Sequence, residues 1–265
     1  MYSSSKLALK YLQYFFAASN GKGHGVHSPF VFEFITKVLI DRTEYPCYKN
    51  IEQLRQQLKH DNTLLTIEDF GAGSRVHTSY KRKVGEIAAT SLKPKRFSQL
   101  LFRIVNFYKP VNIIELGTSL GITTAYLASA NEYSKVITME GAKEVAAIAR
   151  KNFYQLQLKN IEIVDGDFDA NLSQVVSNLS SVDLAFVDGN HRKEPTINYF
   201  HQLLTKTTNN SILVFDDVHW SREMEEAWEY IKQHSSVTLS IDLFFIGIVF
   251  FRHEQLEKQH FSIRF

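Results

Sequence analysis

Val111-Asn-Ile-Ile-Glu-Leu-Gly-Thr-Ser-Leu-Gly-Ile-Thr-Thr-Ala-Tyr-Leu-Ala128 decides the fold class. Its apolar first half reads as a buried strand ending at Glu115-Leu116. Gly117 and Gly121 bracket a tight turn, and a helix runs on from Ile122. Glycine lacks a Cβ and tolerates positive φ, so a ligand can approach the backbone closely at such a turn. The amides at the helix start then face that ligand with partial positive charge. The spacing is Glu-x-Gly-x-x-x-Gly, which departs from the G-x-G-x-x-G of a dinucleotide fingerprint.

Downstream of this stretch the chain alternates strand and helix. Apolar runs at 111–116, 135–140, 161–165, 183–188 and 211–216 read as strands. Helical patterns fall at about 122–131, 143–156, 171–179, 195–206 and 221–234. Near-continuous apolar strands are expected when helices cover both sheet faces, and the alternation predicts a parallel sheet with right-handed crossovers. The rhythm then breaks. Val237–Phe244 and Ile246–Arg252 are β-rich with no helix between them, and they read as an antiparallel hairpin turning at Phe245 or Gly247.

Upstream, 5–19 reads as an amphipathic helix that packs on the main domain. Gly21–Phe30 is glycine-rich, and a lid or entrance loop is expected there. Its His24 and His27 lack a nearby third metal ligand. Ser28 and Pro29 form a cap and a first-turn proline for a helix from Phe30 to Ile40. Further helices are expected at 51–60 and 98–108, and an extended run at 64–70. That run ends in Asp69-Phe-Gly-Ala-Gly-Ser74, which imitates a nucleotide loop. The basic Tyr80–Lys83 and Lys93–Arg96 that follow supply no second acid-tipped strand, so it reads as a turn or, with Arg75, an anion-binding loop.

In an open α/β sheet, ligands sit outside the carboxyl ends of the strands. All five strands end in acids: Glu115, Glu140, Asp165 with Asp167 beyond it, Asp188, and Asp216 with Asp217. A carboxylate at the tip of the second strand can accept both hydroxyls of a ribose. Taken together, Glu-x-Gly, Glu140, Gly-Asp-Phe at 166–168, Asp-Gly-Asn-His at 188–191 and Asp-Asp at 216–217 resemble class I S-adenosylmethionine-dependent methyltransferases. Within that group the chain is similar to the catechol and caffeoyl-CoA type O-methyltransferases and their bacterial relatives, over roughly 97–252.

The resemblance implies an α/β fold: a Rossmann-like, mostly parallel seven-stranded sheet with a terminal antiparallel hairpin strand. A mainly helical N-terminal extension at 1–96 would precede the S-adenosylmethionine-binding domain at 97–265. It implies that Gly117, Thr118, Ser119 and Gly121 approach the methionine portion of S-adenosylmethionine, with Glu115 also among the cofactor-binding residues. Glu140, with Gly141, would hold the ribose, and Asp167 and Phe168 would meet the adenine. Asp188 would touch cofactor or reactants. Asp188, Asp216 and Asp217 fall where metal-dependent relatives hold a divalent cation, and three oxygen ligands suit Mg²⁺ or Mn²⁺. Relatives carry a lysine as general base three residues after the strand-four acid. His191 stands there in this chain, with His219 as a competitor. Imidazole titrates near neutrality and can serve as a base.

The bulk properties bound the rest. A single cysteine, Cys47, excludes an intramolecular disulfide framework. No leader-like N-terminus and no apolar run of spanning length is present, so a cytoplasmic protein is expected. The net charge of +2 divides unevenly: 1–110 hold 17 Lys and Arg against 8 Asp and Glu, and 111–265 hold 13 against 20. A small-molecule methyl acceptor is the expected partner, with nucleic acid disfavoured and a homodimer left open. Three alternatives remain: an RNA-directed methyltransferase using the basic half, a catalytically silent cofactor-binding module, and a nicotinamide oxidoreductase. The last is disfavoured by the glycine spacing and the terminal hairpin.

Overall fold

A computed structural model describes residues 1–19, 21, 23, 27–68 and 79–265. The Asp69–Ser74 loop with Arg75, and His24 within the glycine-rich loop, lie outside the described residues. The chain forms two compact units, 42–171 and the combination of 1–41 with 172–265.

In chain order, the second unit begins with α1 (Ser4–Ala17) and α2 (Pro29–Phe34), which continues as a π-helical turn over Ile35–Leu39. Ser28 caps α2 as expected, accepting from the Val31 amide, with Pro29 in the first turn. The unit of 42–171 then supplies α3 (Pro46–Lys59), β1 (Leu64–Glu68), β2 (Ser79–Lys83), α4 (Val84–Thr90) and α5 (Lys95–Tyr108). It continues with β3 (Asn112–Leu116), α6 (Ile122–Ala130), β4 (Lys135–Glu140), α7 (Lys143–Gln155) and β5 (Ile161–Asp165). Helix α8 (Phe168–Ser177) follows. The remainder of the other unit is β6 (Leu184–Val187), α9 (Lys193–Leu204), β7 (Ile212–Asp216), α10 (Arg222–Gln233), β8 (Leu239–Asp242), β9 (Ile246–Phe250) and β10 (Gln259–Ser262).

In the 42–171 unit, β3, β4 and β5 pair in that order, all parallel, with Glu140 level with Asp165. Ile113, Ile114 and Leu116 are fully buried, and so is most of α6. A helix apolar on every side is a core helix, and α6 is one. Burying each such Leu or Ile contributes roughly 1.5–3 kcal/mol. Strands β1 and β2 form a separate antiparallel hairpin. This corrects the expectation that Tyr80–Lys83 carries no strand: a basic strand is stable at an exposed edge, where its lysines stay in water.

In the other unit the order is β10-β8-β9-β7-β6. Strands β6 and β7 are parallel, while β9 runs antiparallel to both β7 and β8. The terminal hairpin is therefore present, but its turn is Leu243–Phe245, with Phe244 at a φ of +71°. Gly247 sits inside β9 instead. A Cβ there would lie 2.7 Å from the Trp228 ring, so this glycine makes room for an indole. Strand β10 pairs parallel with β8 and, among the described residues, brings the strands other than β1 and β2 to eight, one more than expected. Its short, half-exposed sequence gives no apolar run to find.

Candidate active site

The turn after β3 is built by hydrogen bonds. The Gly117 and Thr118 amides both donate to the Met139 carbonyl on β4 (3.1 Å each), and the Gly121 amide donates to the Thr118 carbonyl (2.9 Å). Gly117, Ser119 and Gly121 all take positive φ, at +104°, +47° and +79°. Beneath the turn lies Glu115, wholly buried. Its Oε2 accepts from the hydroxyls of Thr124 (2.5 Å) and Thr138 (2.6 Å). Thr138 in turn lies 2.6 Å from the Thr118 hydroxyl. Thr138 spends its one proton on Glu115, so Thr118 must be the donor in that pair. Glu115 thus fixes the turn from below through a relay of hydroxyls. The first strand-tip acid and Thr118 were legible in the sequence; Thr124 and Thr138 were not, because a threonine inside a helix or a strand carries no motif.

Glu140 ends β4 beside this turn. Its Oε2 accepts the Ser119 amide (2.8 Å) and its Oε1 the Ala142 amide (3.0 Å), so the carboxylate spans the turn and the start of α7. Burial pushes its pKa up, partly offset by hydrogen bonds from the Ala142, Ser119 and Gly141 amides. A carboxylate offers about four lone-pair sites, so three amides still leave room for a hydroxyl donor. Asp167 and Phe168 follow β5 at the start of α8, both partly exposed, and Asp167 accepts the Asp169 amide at 3.1 Å. Gly117, Thr118, Ser119, Gly121, Glu140, Gly141, Asp167 and Phe168 therefore all lie at the turns after β3, β4 and β5, in one unit.

The other unit carries the second group of expected residues. Asp188 follows β6, Asp216 ends β7, and His191 lies three residues beyond Asp188. Asp188, His191 and Asp216 each place a ligand atom within 4.8 Å of the others. His191 Nε2 is 3.6 Å from Asp188 Oδ1. Asp216 is buried, whereas Asp188 and His191 are partly exposed. The loop is held by Asn190, a left-handed residue at φ +57° that donates to the Tyr199 hydroxyl (3.0 Å) and accepts from Arg192 (3.0 Å). Asn is among the residues that tolerate this conformation best, and that is the signal by which its role could have been read.

Asp217 is not a member of the cluster; His191 is the third member instead. At φ +53°, Asp217 forms the bend after β7, its amide donating to the Phe245 carbonyl (2.7 Å). Two carboxylates and an imidazole form a nitrogen-and-oxygen donor set. Such a set fits Mn²⁺ or Zn²⁺ better than Mg²⁺, which favours all-oxygen shells.

His219 is placed differently. Its Nε2 is 2.8 Å from Asp242 Oδ2 and its Nδ1 is 3.2 Å from Glu225 Oε1. Burial opposes its charge, but hydrogen bonds and charge from Asp242 and Glu225 win and raise its pKa. An imidazole with a carboxylate on each nitrogen is held doubly protonated, and a doubly protonated ring has no lone pair with which to take a proton. This geometry favours a structural role for His219 over that of a base.

The comparisons bear on this arrangement. A family model described as a methyltransferase domain matches residues 114–218. The O-methyltransferase of Bacillus cereus in complex with SAH superimposes with a TM-score of 0.56 at 20% identity, over 83% of this chain and 97% of that one. SAH-bound PaMTH1 of Podospora anserina gives 0.59 at 11% identity, over 95% and 98%. The chain has the methyltransferase fold. A third similar structure is the O-methyltransferase TomG of Streptomyces achromogenes, involved in tomaymycin synthesis and in complex with SAM. It gives 0.55 at 15% identity, over 79% of this chain and 91% of that one. No curated protein matches the sequence. Among the described residues, no helix is long and apolar enough to cross a membrane.

Proposed function

We propose that this protein is an S-adenosylmethionine-dependent methyltransferase acting on an oxygen of a small molecule. The observation that carries the reading is the Glu140 carboxylate, which ends β4 while accepting an amide from the glycine turn after β3. In this reading Glu140 accepts the ribose hydroxyls, and the Gly117–Gly121 turn takes the methionine end. Gly141 shapes the approach to the ribose, while Asp167 and Phe168 meet the adenine. The sulfonium supplies the reactivity, and the chain supplies alignment. The extension at 1–96 is taken to shape acceptor choice.

Asp188, His191 and Asp216 are proposed to hold a divalent cation, with Mn²⁺ favoured over Mg²⁺ by the imidazole. When bound, such an ion lowers the pKa of a hydroxyl it coordinates. An imidazole nitrogen committed to an ion cannot also accept a proton, so His191 serves here as a ligand rather than as a general base.

Glu140→Ala tests the cofactor reading. It removes the carboxylate that would meet the ribose and strands the Ser119 and Ala142 amides. S-adenosylhomocysteine affinity is expected to fall by roughly 30-fold or more, measured by calorimetry. In the unaltered chain, affinity should also weaken on acidification, at a pH above the ordinary glutamate range, because burial raises the Glu140 pKa. An alanine variant that binds as tightly as the wild type would refute the assignment.

A further inference from the structure

The first fourteen residues converge on the two segments that fix Asp216, and we propose that this N-terminal strap is a positioning element for the Asp188–His191–Asp216 cluster. The inference rests on the divalent-ion reading above. β7 ends at Asp216, and the chain bends at once through left-handed Asp217. The Asp217 amide is tied to the Phe245 carbonyl in the hairpin turn, and the Trp220 amide closes the bend on the Asp217 carbonyl (2.9 Å). The conformation of residues 217–220 and that of the 243–245 turn therefore set where the Asp216 carboxylate stands.

Both segments are held from the N-terminus. The Tyr2 amide donates to the Trp220 carbonyl (3.0 Å). The Tyr2 hydroxyl donates to Glu225 (2.7 Å), and Lys10 Nζ donates to both oxygens of the same carboxylate (2.8 and 3.0 Å). Glu225 holds His219 of the loop at Nδ1, and Asp242 holds it at Nε2. The His219 ring stacks on Phe244 with centroids 5.1 Å apart. On the hairpin side, Tyr11 packs edge-on to Phe244 at 5.1 Å and stacks on Phe245 at 6.0 Å. Helix α1 has no fully buried residue, so burial of a core face does not account for its seat. Directed polar and ring contacts to one loop and one turn do. A ligand carboxylate has to stand within about 0.5 Å of its productive position, and this network constrains the backbone on which Asp216 is mounted. Tyr2, Lys10, Glu225 and His219 are thus positioning residues, none of them a member of the cluster.

The test titrates Mn²⁺ into the full chain, following free aqueous Mn²⁺ by electron paramagnetic resonance, for wild type, Glu225→Gln and Lys10→Met. Glu225→Gln keeps the shape and removes the shared charge; Lys10→Met removes the ion pair from the α1 side. The visible absorption of bound Co²⁺ reports ligand geometry independently. The expected result is Mn²⁺ affinity about tenfold weaker in both variants, a shifted Co²⁺ band, unchanged S-adenosylhomocysteine affinity, and rescue by Lys10→Arg. Variants that melt earlier yet bind Mn²⁺ and Co²⁺ as the wild type does would overturn the proposal, leaving α1 a stabilising helix only. A wild-type chain that takes up no Mn²⁺ would fail the divalent-ion reading itself, and the proposal with it.

Discussion

Gly121 meets two demands at once. Its φ is +79°, and a Cβ there would stand 2.5 Å from the Phe153 ring and 3.3 Å from the Ala149 methyl. Gly121→Ala should therefore cost about 2–4 kcal/mol, combining left-handed backbone strain with overpacking. In Gly121→Ala/Phe153→Leu the steric part should be relieved and the backbone part should not, so about half the loss should return in urea denaturation. Full recovery would mean that φ contributes nothing. This glycine was legible because the fingerprint spacing marks it. Asp217 stands apart from this: Asp-Asp after a strand looks like a pair of ligands, whereas the cluster groups Asp216 with Asp188 and His191, and Asp217 makes the left-handed bend after β7. His219 was likewise visible as a histidine near strand tips, but its two carboxylate partners, Glu225 of α10 and Asp242 of β8, are brought to it by packing that no local motif marks.

At the scale of elements, the strands between 111 and 252 were legible to within a residue or two because each is an apolar run bounded by polar turns. β2 and β10 escaped because pairing, not burial, defines them; a half-exposed strand leaves no apolar signature. The seat of α1 was equally hidden, resting on Tyr2 and Lys10 meeting Glu225. That seat has a pH dependence. The His219 pKa is raised, so its contribution is complete below its ordinary value of about 6.5 and is lost as pH rises through the folded-state value. Burial opposes the charges of Asp242 and Glu225, but hydrogen bonds from His219, and for Glu225 from Lys10 and Tyr2, hold both pKa values down. Their contribution is complete above about pH 4 and is lost as pH falls through their depressed values. Stability from this network is therefore greatest between the ordinary carboxylate range and about pH 6.5, and it declines on the alkaline side. Denaturation midpoints at pH 6 and pH 9 should show that decline in the wild type and a flatter profile in His219→Gln. Equal slopes would remove His219 from the account.

For the whole molecule, the glycine turn, the acid-tipped strands and the terminal hairpin pointed to the methyltransferase fold, and the structural comparisons agree. The acceptor was not legible, since no strand-tip motif encodes pocket shape. The excess of Lys and Arg in residues 1–110 makes an RNA acceptor the alternative to be tested. Filter binding of labelled RNA should give no retention at 150 mM salt on the order of physiological strength; salt-resistant retention would revive an RNA acceptor. The most direct test of the central claim is calorimetric titration of the chain with S-adenosylhomocysteine, with and without Mn²⁺, and with NAD as the control. The account predicts one-to-one binding of S-adenosylhomocysteine, no heat from NAD, and a separate heat for Mn²⁺ that disappears in His191→Ala. A heat from NAD with none from S-adenosylhomocysteine would contradict it and turn the Gly117–Glu140 site into a nicotinamide site.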